Sequence, residues 1–508
     1  MTKETTRIAR GATAVFSSSF FANLLMFVFY IAITHLLDTR DLGVLYSFNV
    51  VDSFMVTFLM LSLPSGFSRF IVGYYQTNRV GEARYLFRRG LLMATLITSS
   101  ATPVLVLLAP FVTKLLTGQS NYIFLYYLVV VDFVTTTYSS FLGIVVSARR
   151  IFGWGSVVQV LSTVSRVGVG VGLLLGGFGL RGVLLGWIAS DVVSIAAYLH
   201  FSRSFLVGES IKAEMRGVIT YSLPFFIASG LVVVLQNVDR LFVLRFLGTV
   251  SLGVYGTLLI ASNIPKMLPG SVSSTLFPVM IKYEEEKALT RNVVSKAVRY
   301  MALINLPVLG LVAALGAPLL YVFLGRAFSD AWPAFSILVF GGGAMSLDIP
   351  ITQVLLAKRK TRVLAVQQVV SSFALAILAV TLIPKLYLVG AALAYVIARI
   401  VGFIITGSRV YRLGLFSIRW RDYLKTFGVT LGIISVTLTL EHYTDFWYPL
   451  LPIYILVGSL TGIVMAKVVG LFHKDDYLEV AEFFPPRLRG IVNWAWRALR
   501  LPMASENT

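Results

Sequence analysis

A chain of 508 residues, 57% hydrophobic and only 13% charged, is too apolar for a soluble globular protein and is expected to cross a membrane many times. With no cysteine it has no disulfide, thiolate metal site or cysteine nucleophile, and its four histidines, His35, His200, His442 and His473, are too scattered to suggest a metal centre. A net charge of +20 would indicate nucleic acid in a soluble domain, so its placement has to be read against membrane topology.

A spanning helix takes roughly 20 mostly apolar residues, and on that length the sequence divides into about fourteen spans with short polar joints. Six cover residues 13–36, 43–75, 86–116, 121–148, 152–176 and 180–204 and form an N-terminal six-helix bundle over residues 1–205. The first of them is longer than a signal-peptide core and lacks a small-residue cleavage site after it, so it reads as a span. A polar connector at 206–216 leads to six more spans, 217–246, 250–281, 297–324, 331–356, 362–383 and 387–410, in a C-terminal bundle over 217–412. Two additional helices occupy 413–472, and the tail 473–508, with PPRLRGIVNWAWRALRLPM inside it, suits an amphipathic helix on the inner membrane face or a plain solubilising tail.

Basic residues concentrate on the cytoplasmic side of membrane proteins. With the amino terminus on that side, most of the 43 lysines and arginines fall in inner joints, while the outer joints hold only Arg40, Lys114, Arg181, Arg245, Arg326 and Lys385. Both termini are then cytoplasmic. The positive excess is a topology signal and a match to anionic inner-leaflet lipids, and no nucleic-acid partner is needed.

The chain repeats itself at an offset near 209 residues. HLLDTRDLGVLYS (35–47) lies over RFLGTVSLGVYGT (245–257), pairing Thr39 with Thr249 and Gly43 with Gly253. SARRIFGWGSVVQVLS (147–162) lies over LAKRKTRVLAVQQVVS (356–371), pairing Arg150 with Arg359 and Gln159 with Gln368. GVLLGWIASDVV (182–193) lies over GAALAYVIARIV (390–401), pairing Gly182 with Gly390 and Asp191 with Arg399. A repeat of six helices keeps the orientation of its copy, so the expected fold is all-α and polytopic: two parallel six-helix repeats plus two C-terminal helices.

Ten charges fall inside the spans: Arg69, Arg166, Arg240, Lys266 and Arg399, with Asp52, Asp132, Asp191, Asp239 and Asp348. A charge at the bilayer centre costs about 2.5–3.5 kcal/mol on insertion scales, so each is expected to face protein or a water-filled cavity. Arg166, Asp191, Lys266 and Arg399 lie near mid-span, whereas Arg69 and Arg240 sit close enough to span ends to reach an interface. Asp191 and Arg399 occupy equivalent repeat positions and are candidates for a cross-bundle pair. In LQNVDRLFVLRF (235–246), Asp239 and Arg240 project about 100° apart, which suggests Arg240 toward cargo and Asp239 toward a basic neighbour. Structural ion pairing is the plain alternative for all five acids; the sharper one is that Asp52, Asp132 and Asp348 exchange protons or bind sodium during a cycle. GVGVGLLLGGFG (168–179) is read as helix-packing glycine rather than a nucleotide loop, and Pro224, Pro265, Pro269 and the triple glycine at 341–343 as kinks. No Walker, kinase or nucleophile-elbow motif is present, so an enzyme is not expected.

LGVLYSFNVV and LPSGFSRFIVGYY early in the chain, NVDRLFVLRFLG followed by SLGVYG, and LFPVM near residue 280, on a plan of six, six and two spans, resemble an oligosaccharide-lipid flippase. This is the polysaccharide transporter branch of the multidrug/oligosaccharidyl-lipid/polysaccharide exporter superfamily. The resemblance implies a flippase that carries a polyprenyl-phosphate-linked or polyprenyl-diphosphate-linked oligosaccharide from inner to outer leaflet by alternating access. Its partners would be that lipid-linked glycan and membrane lipids, with glycan-assembly enzymes as further candidates. It implies no cofactor, with H+ or Na+ as the candidate coupling ions. A cationic central cavity would grip the phosphate headgroup through Arg166, Arg240, Lys266 and Arg399, with Arg69 at the inner mouth. A cation-coupled multidrug exporter of the same superfamily and a non-transport membrane scaffold are the alternatives.

Overall fold

The computed structural model describes residues 3–265, 280, 286–444 and 448–471, with side chains from Ser18 onward. All regular structure among them is helical. In chain order the helices are α1 (Lys3–Leu36), α2 (Thr39–Leu59), α3 (Leu63–Gln76), α4 (Val80–Thr117), α5 (Ile123–Ala148), α6 (Phe152–Leu173), α7 (Leu180–Leu206) and α8 (Met215–Asn263). They continue as α9 (Lys287–Ala314), α10 (Gly316–Leu324), α11 (Arg326–Ser329), α12 (Trp332–Ala344), α13 (Asp348–Ala357), α14 (Thr361–Arg412), α15 (Trp420–Tyr443) and α16 (Leu451–Val468). Local chemistry sets several of the boundaries. The Asp38 carboxylate accepts from the Asp41 amide at 2.7 Å and caps α2. Prolines open the first turns of α3, α12 and α16, and Gly118 at φ 70° closes α4.

Among the described residues, 12 helices are long and apolar enough to cross a membrane. Two of these, α8 with 49 residues and α14 with 52, are each long enough for two crossings of a core about 30 Å thick. Both break where the sequence sets a boundary between consecutive spans, α8 at Gly248 and α14 at Tyr387. The expected second span is divided instead, into α2 and α3, by a turn in which Leu61 and Ser62 take positive φ. Lys266, Pro269, most of LFPVM and the amphipathic tail lie outside the described residues.

The chain forms two compact units, Met1–Ala261 with Gln368–Ala398, and Ser262–Gln367 with Arg399–Thr508. This division cuts inside α8 and α14 and does not follow the boundaries expected from the repeat. In the first unit α7 packs on α5 and α6, and α1 on α6, around Phe29, Phe48, Phe67, Phe133 and Phe141. Of the GVGVG glycines, Gly170 serves this packing: a Cβ on Gly186 would lie 2.9 Å from the Gly170 Cα, so α6 and α7 touch backbone to backbone there, whereas a Cβ on Gly168 or Gly172 would meet nothing within 4 Å. In the second unit α9 packs on α12 and α15, and α15 on α16. There the Arg299 Nε donates to the Asp422 carboxylate at 2.8 Å, with both side chains about nine-tenths buried.

The repeat is visible in the backbone itself. Arg150 and Arg359 both take positive φ, 52° and 55°, at the ends of helices closed by the same succession of hydrogen bonds. Gly179 (φ 54°, ψ −140°) and Tyr387 (φ 51°, ψ −130°), 208 residues apart, share a conformation that is ordinary for glycine and strained for tyrosine. A Cβ on Gly43 would strike the Thr249 carbonyl, and one on Gly253 would strike the Thr39 carbonyl. Since Thr39 and Gly43 are the repeat equivalents of Thr249 and Gly253, this contact is reciprocal. Two copies of one segment meeting about a twofold axis produce such an arrangement.

Candidate substrate and ion site

Four helices of the first unit bring Asp52 (α2), Asp132 (α5), Arg166 (α6) and Asp191 (α7) into one electrostatic neighbourhood. Asp132 feels the charges of Asp52, Asp191 and Arg166, and Asp52 those of Asp191 and Arg166. Asp191 accepts from the Thr136 hydroxyl at 2.5 Å and from Thr135 at 3.3 Å. The Arg166 guanidinium lies 4.7 Å from the centroid of the Trp187 ring. Three buried polar atoms of this neighbourhood have no hydrogen-bond partner: Asp52 Oδ1, Arg166 Nε and Trp187 Nε1. Three carboxylates around one guanidinium carry a net negative charge if all ionise, which a low-dielectric interior does not hold without protons or a cation.

Arg240 and Asp239 lie on α8, and adjacent residues of one helix point in different directions. Asp239 is buried and accepts from the Tyr255 hydroxyl at 3.0 Å, so its hydrogen-bond partner is a phenol where a basic side chain was expected. Arg240 donates to the Asn237 side-chain carbonyl at 3.2 Å, one helical turn back, and its buried Nε has no partner. The result is a guanidinium fixed within an apolar helix with donor capacity left over.

Arg69, on α3, is exposed and stacks over the Tyr221 ring at 4.3 Å. Tyr221 stacks in turn on Phe225 at 6.3 Å between centroids. In the second unit the exposed Arg399 acts electrostatically on Asp348, whose carboxylate accepts from the Thr406 hydroxyl at 2.6 Å. Thr135, Thr136, Trp187, Tyr221 and Tyr255 complete these sites and were not singled out by hydropathy, because neutral polar and aromatic side chains leave it almost unchanged. Asn237 belongs to the polar cluster within LQNVDRLFVLRF, and it stands three residues from Arg240, on one helix face.

Comparison with known proteins fits this architecture. The model of a family described as polysaccharide biosynthesis protein matches residues 16–333, more than half of the chain. The teichuronic acid biosynthesis protein TuaB of Bacillus subtilis (strain 168) is 29% identical over 219 residues, 41% of this chain; the match spans 44% of that protein, less than half its length. Among solved structures, the lipid II flippase MurJ in an inward closed conformation superposes with a TM-score of 0.65 at 15% identity, covering 89% of this chain and 98% of that one. A multidrug resistance MATE family transporter of the MOP superfamily, in an inward-facing conformation, gives 0.59 at 14% identity, over 77% of this chain and 95% of the other. At these identities the structures establish a shared fold, and the match of the family model establishes descent: the chain belongs to the polysaccharide biosynthesis protein family.

Proposed function

We propose that this protein is a flippase that moves a polyprenyl-phosphate-linked or polyprenyl-diphosphate-linked oligosaccharide from the inner to the outer leaflet of the cell membrane by alternating access. Family membership and a fold shared with a lipid II flippase support the class of cargo. The observation that carries the headgroup assignment is Arg240, a guanidinium inside an apolar helix whose Nε is buried without a partner. An anionic phosphate satisfies such a donor through charge-assisted hydrogen bonds, worth about 1.5–3 kcal/mol each. Arg69, exposed on its stack over Tyr221 and about 28 Å along α8 from Arg240, is proposed as a separate contact at the inner mouth, and Lys266 and Arg399 belong to the same proposal. Arg166 is assigned instead to the carboxylate network, where three acids already draw on its charge. That network, Asp52, Asp132 and Asp191, is the proposed seat of coupling to H+ or Na+, because its charge balance closes only with a proton or a cation. Asp348, hydrogen-bonded and beside Arg399, is the weaker coupling candidate.

Binding tests the headgroup assignment. In lipid nanodiscs, a short-chain polyprenyl phosphate is expected to bind about 10-fold more weakly to Arg240→Ala and Arg69→Ala than to the parent protein. Arg203→Ala, an exposed change elsewhere, should bind normally. Equal affinity in all of them would remove the assignment.

A further inference from the structure

The two helices beyond the repeats contain a buried acid that the transport proposal does not use. Glu441 lies in the last turn of α15 and is 0% exposed, and both of its carboxylate oxygens lack a hydrogen-bond partner. One turn earlier, Thr437 is also 0% exposed with its hydroxyl unpartnered. This stretch of α15 packs against α9 and α16: a Cβ on Gly458 would lie 2.9 Å from the Thr437 Oγ1 and would also strike Leu311. Leu311, Leu315, Leu440, Leu451 and Tyr454 form the apolar cluster at this end of the unit.

No charge among the described residues of the neighbouring elements compensates Glu441. The basic residues of α9, Lys287, Arg291, Lys296 and Arg299, lie in its first half, and Arg299 is engaged by Asp422, about 28 Å from Glu441 along α15. Helix α16 carries no charge before Lys467; its titratable group here, Tyr454, shares a 2.6 Å hydrogen bond with Thr444. From α10 the titratable group is Tyr321, stacked on Tyr448 of the turn before α16. On α15 itself His442 is exposed, and Asp445 lies outside the described residues. An ionised carboxylate taken out of water with no donor costs several kcal/mol, whereas a neutral carboxyl tolerates the site.

We propose that Glu441 is a proton-binding site of the α15–α16 hairpin: its carboxyl is protonated while the hairpin is packed against α9, and loss of the proton hydrates the group and loosens that packing. The site shares no residue with the phosphate and coupling assignments, and its test does not depend on transport. Hydrogen–deuterium exchange of residues 436–460, corrected for intrinsic rates, is followed in the full-length protein in nanodiscs at about pH 5 and about pH 8.5. Protection in the parent is expected to fall at least ~10-fold at the higher pH, as one pKa unit of linkage requires, while Glu441→Gln stays protected at both. Glu441→Ala, which leaves a void, is expected to lose protection at both pH values. Parent protection that ignores pH, or the same pH dependence in Glu441→Gln, overturns the proposal. Should Glu441→Gln fail to fold, the infrared spectrum of the parent protein labelled with carbon-13 glutamate decides at neutral pH: a protonated glutamic acid band supports the site, and its absence overturns it.

Discussion

Alanine at the reciprocal glycines is the sharpest structural perturbation. A methyl on Gly253 would sit on the Thr39 carbonyl oxygen, with the Gly43 amide nitrogen at 2.8 Å and the Thr39 carbonyl carbon at 3.0 Å. A methyl on Gly43 would strike the Thr249 carbonyl oxygen, with its carbon at 2.7 Å. These neighbours are helix backbone and cannot rotate away, so α2 and the second half of α8 must separate by about 1.5 Å to restore ordinary contact distances. Overpacking of this kind costs about 1–3 kcal/mol. The separation also stretches the buried Tyr46–Thr257 hydroxyl pair, 3.1 Å apart, worth about 0.5–1.5 kcal/mol. Each single substitution should therefore destabilise the protein by about 2–4 kcal/mol. One separation makes room for both methyls, so Gly43→Ala/Gly253→Ala should fall short of additivity by about 1–2 kcal/mol. Denaturant unfolding in detergent micelles measures this, with Gly73→Ala as control, since nothing lies within 4 Å of its added methyl. Single variants as stable as the control, or a fully additive double variant, would refute the reciprocal crossing.

Replacing Tyr387, exposed and at φ 51°, by glycine should stabilise the protein by up to about 1 kcal/mol, seen as a higher thermal midpoint. Asp422→Asn leaves Arg299 buried beside a neutral partner and should cost about 3–5 kcal/mol in the same assay, whereas replacing both residues by leucine should cost far less. Arg166→Ala strands three carboxylates together, so adding Asp52→Asn should recover part of the lost thermal stability; a double variant worse than the single one would show that the network is not held by charge balance.

Hydropathy read the helices well because a bilayer asks little beyond length and apolarity. The repeats were legible for a different reason: Gly43 with Gly253 and Gly182 with Gly390 mark close backbone approach, a requirement that outlasts divergence of the surrounding apolar residues. The aligned Tyr387 shows that the backbone conformation persisted even where glycine did not. Side-chain partnership was harder to read. Asp239 was expected against a base and found a phenol 16 residues away, because helix faces depend on packing that hydropathy does not encode. Glu441 was not legible because EHYTD (441–445) reads as a polar joint between the two additional helices, whereas α15 continues to Tyr443 and keeps the acid inside. The split of the second span into α2 and α3 lies at LSLPSG (61–66), where serine, proline and glycine favour a turn, but the apolar run continues through it and hydropathy alone joins the two helices.

Reconstitution measures transport of a lipid-linked glycan directly. The purified protein is placed in liposomes carrying a fluorescent polyprenyl-diphosphate sugar in both leaflets, and loss of signal to a membrane-impermeant quencher is followed with and without proton and sodium gradients. Movement between leaflets is expected well above that of empty liposomes, about 10-fold slower in Arg240→Ala and unchanged in Arg203→Ala. Movement no faster than in empty liposomes, across several glycan carriers and both gradients, would contradict the proposed flippase function.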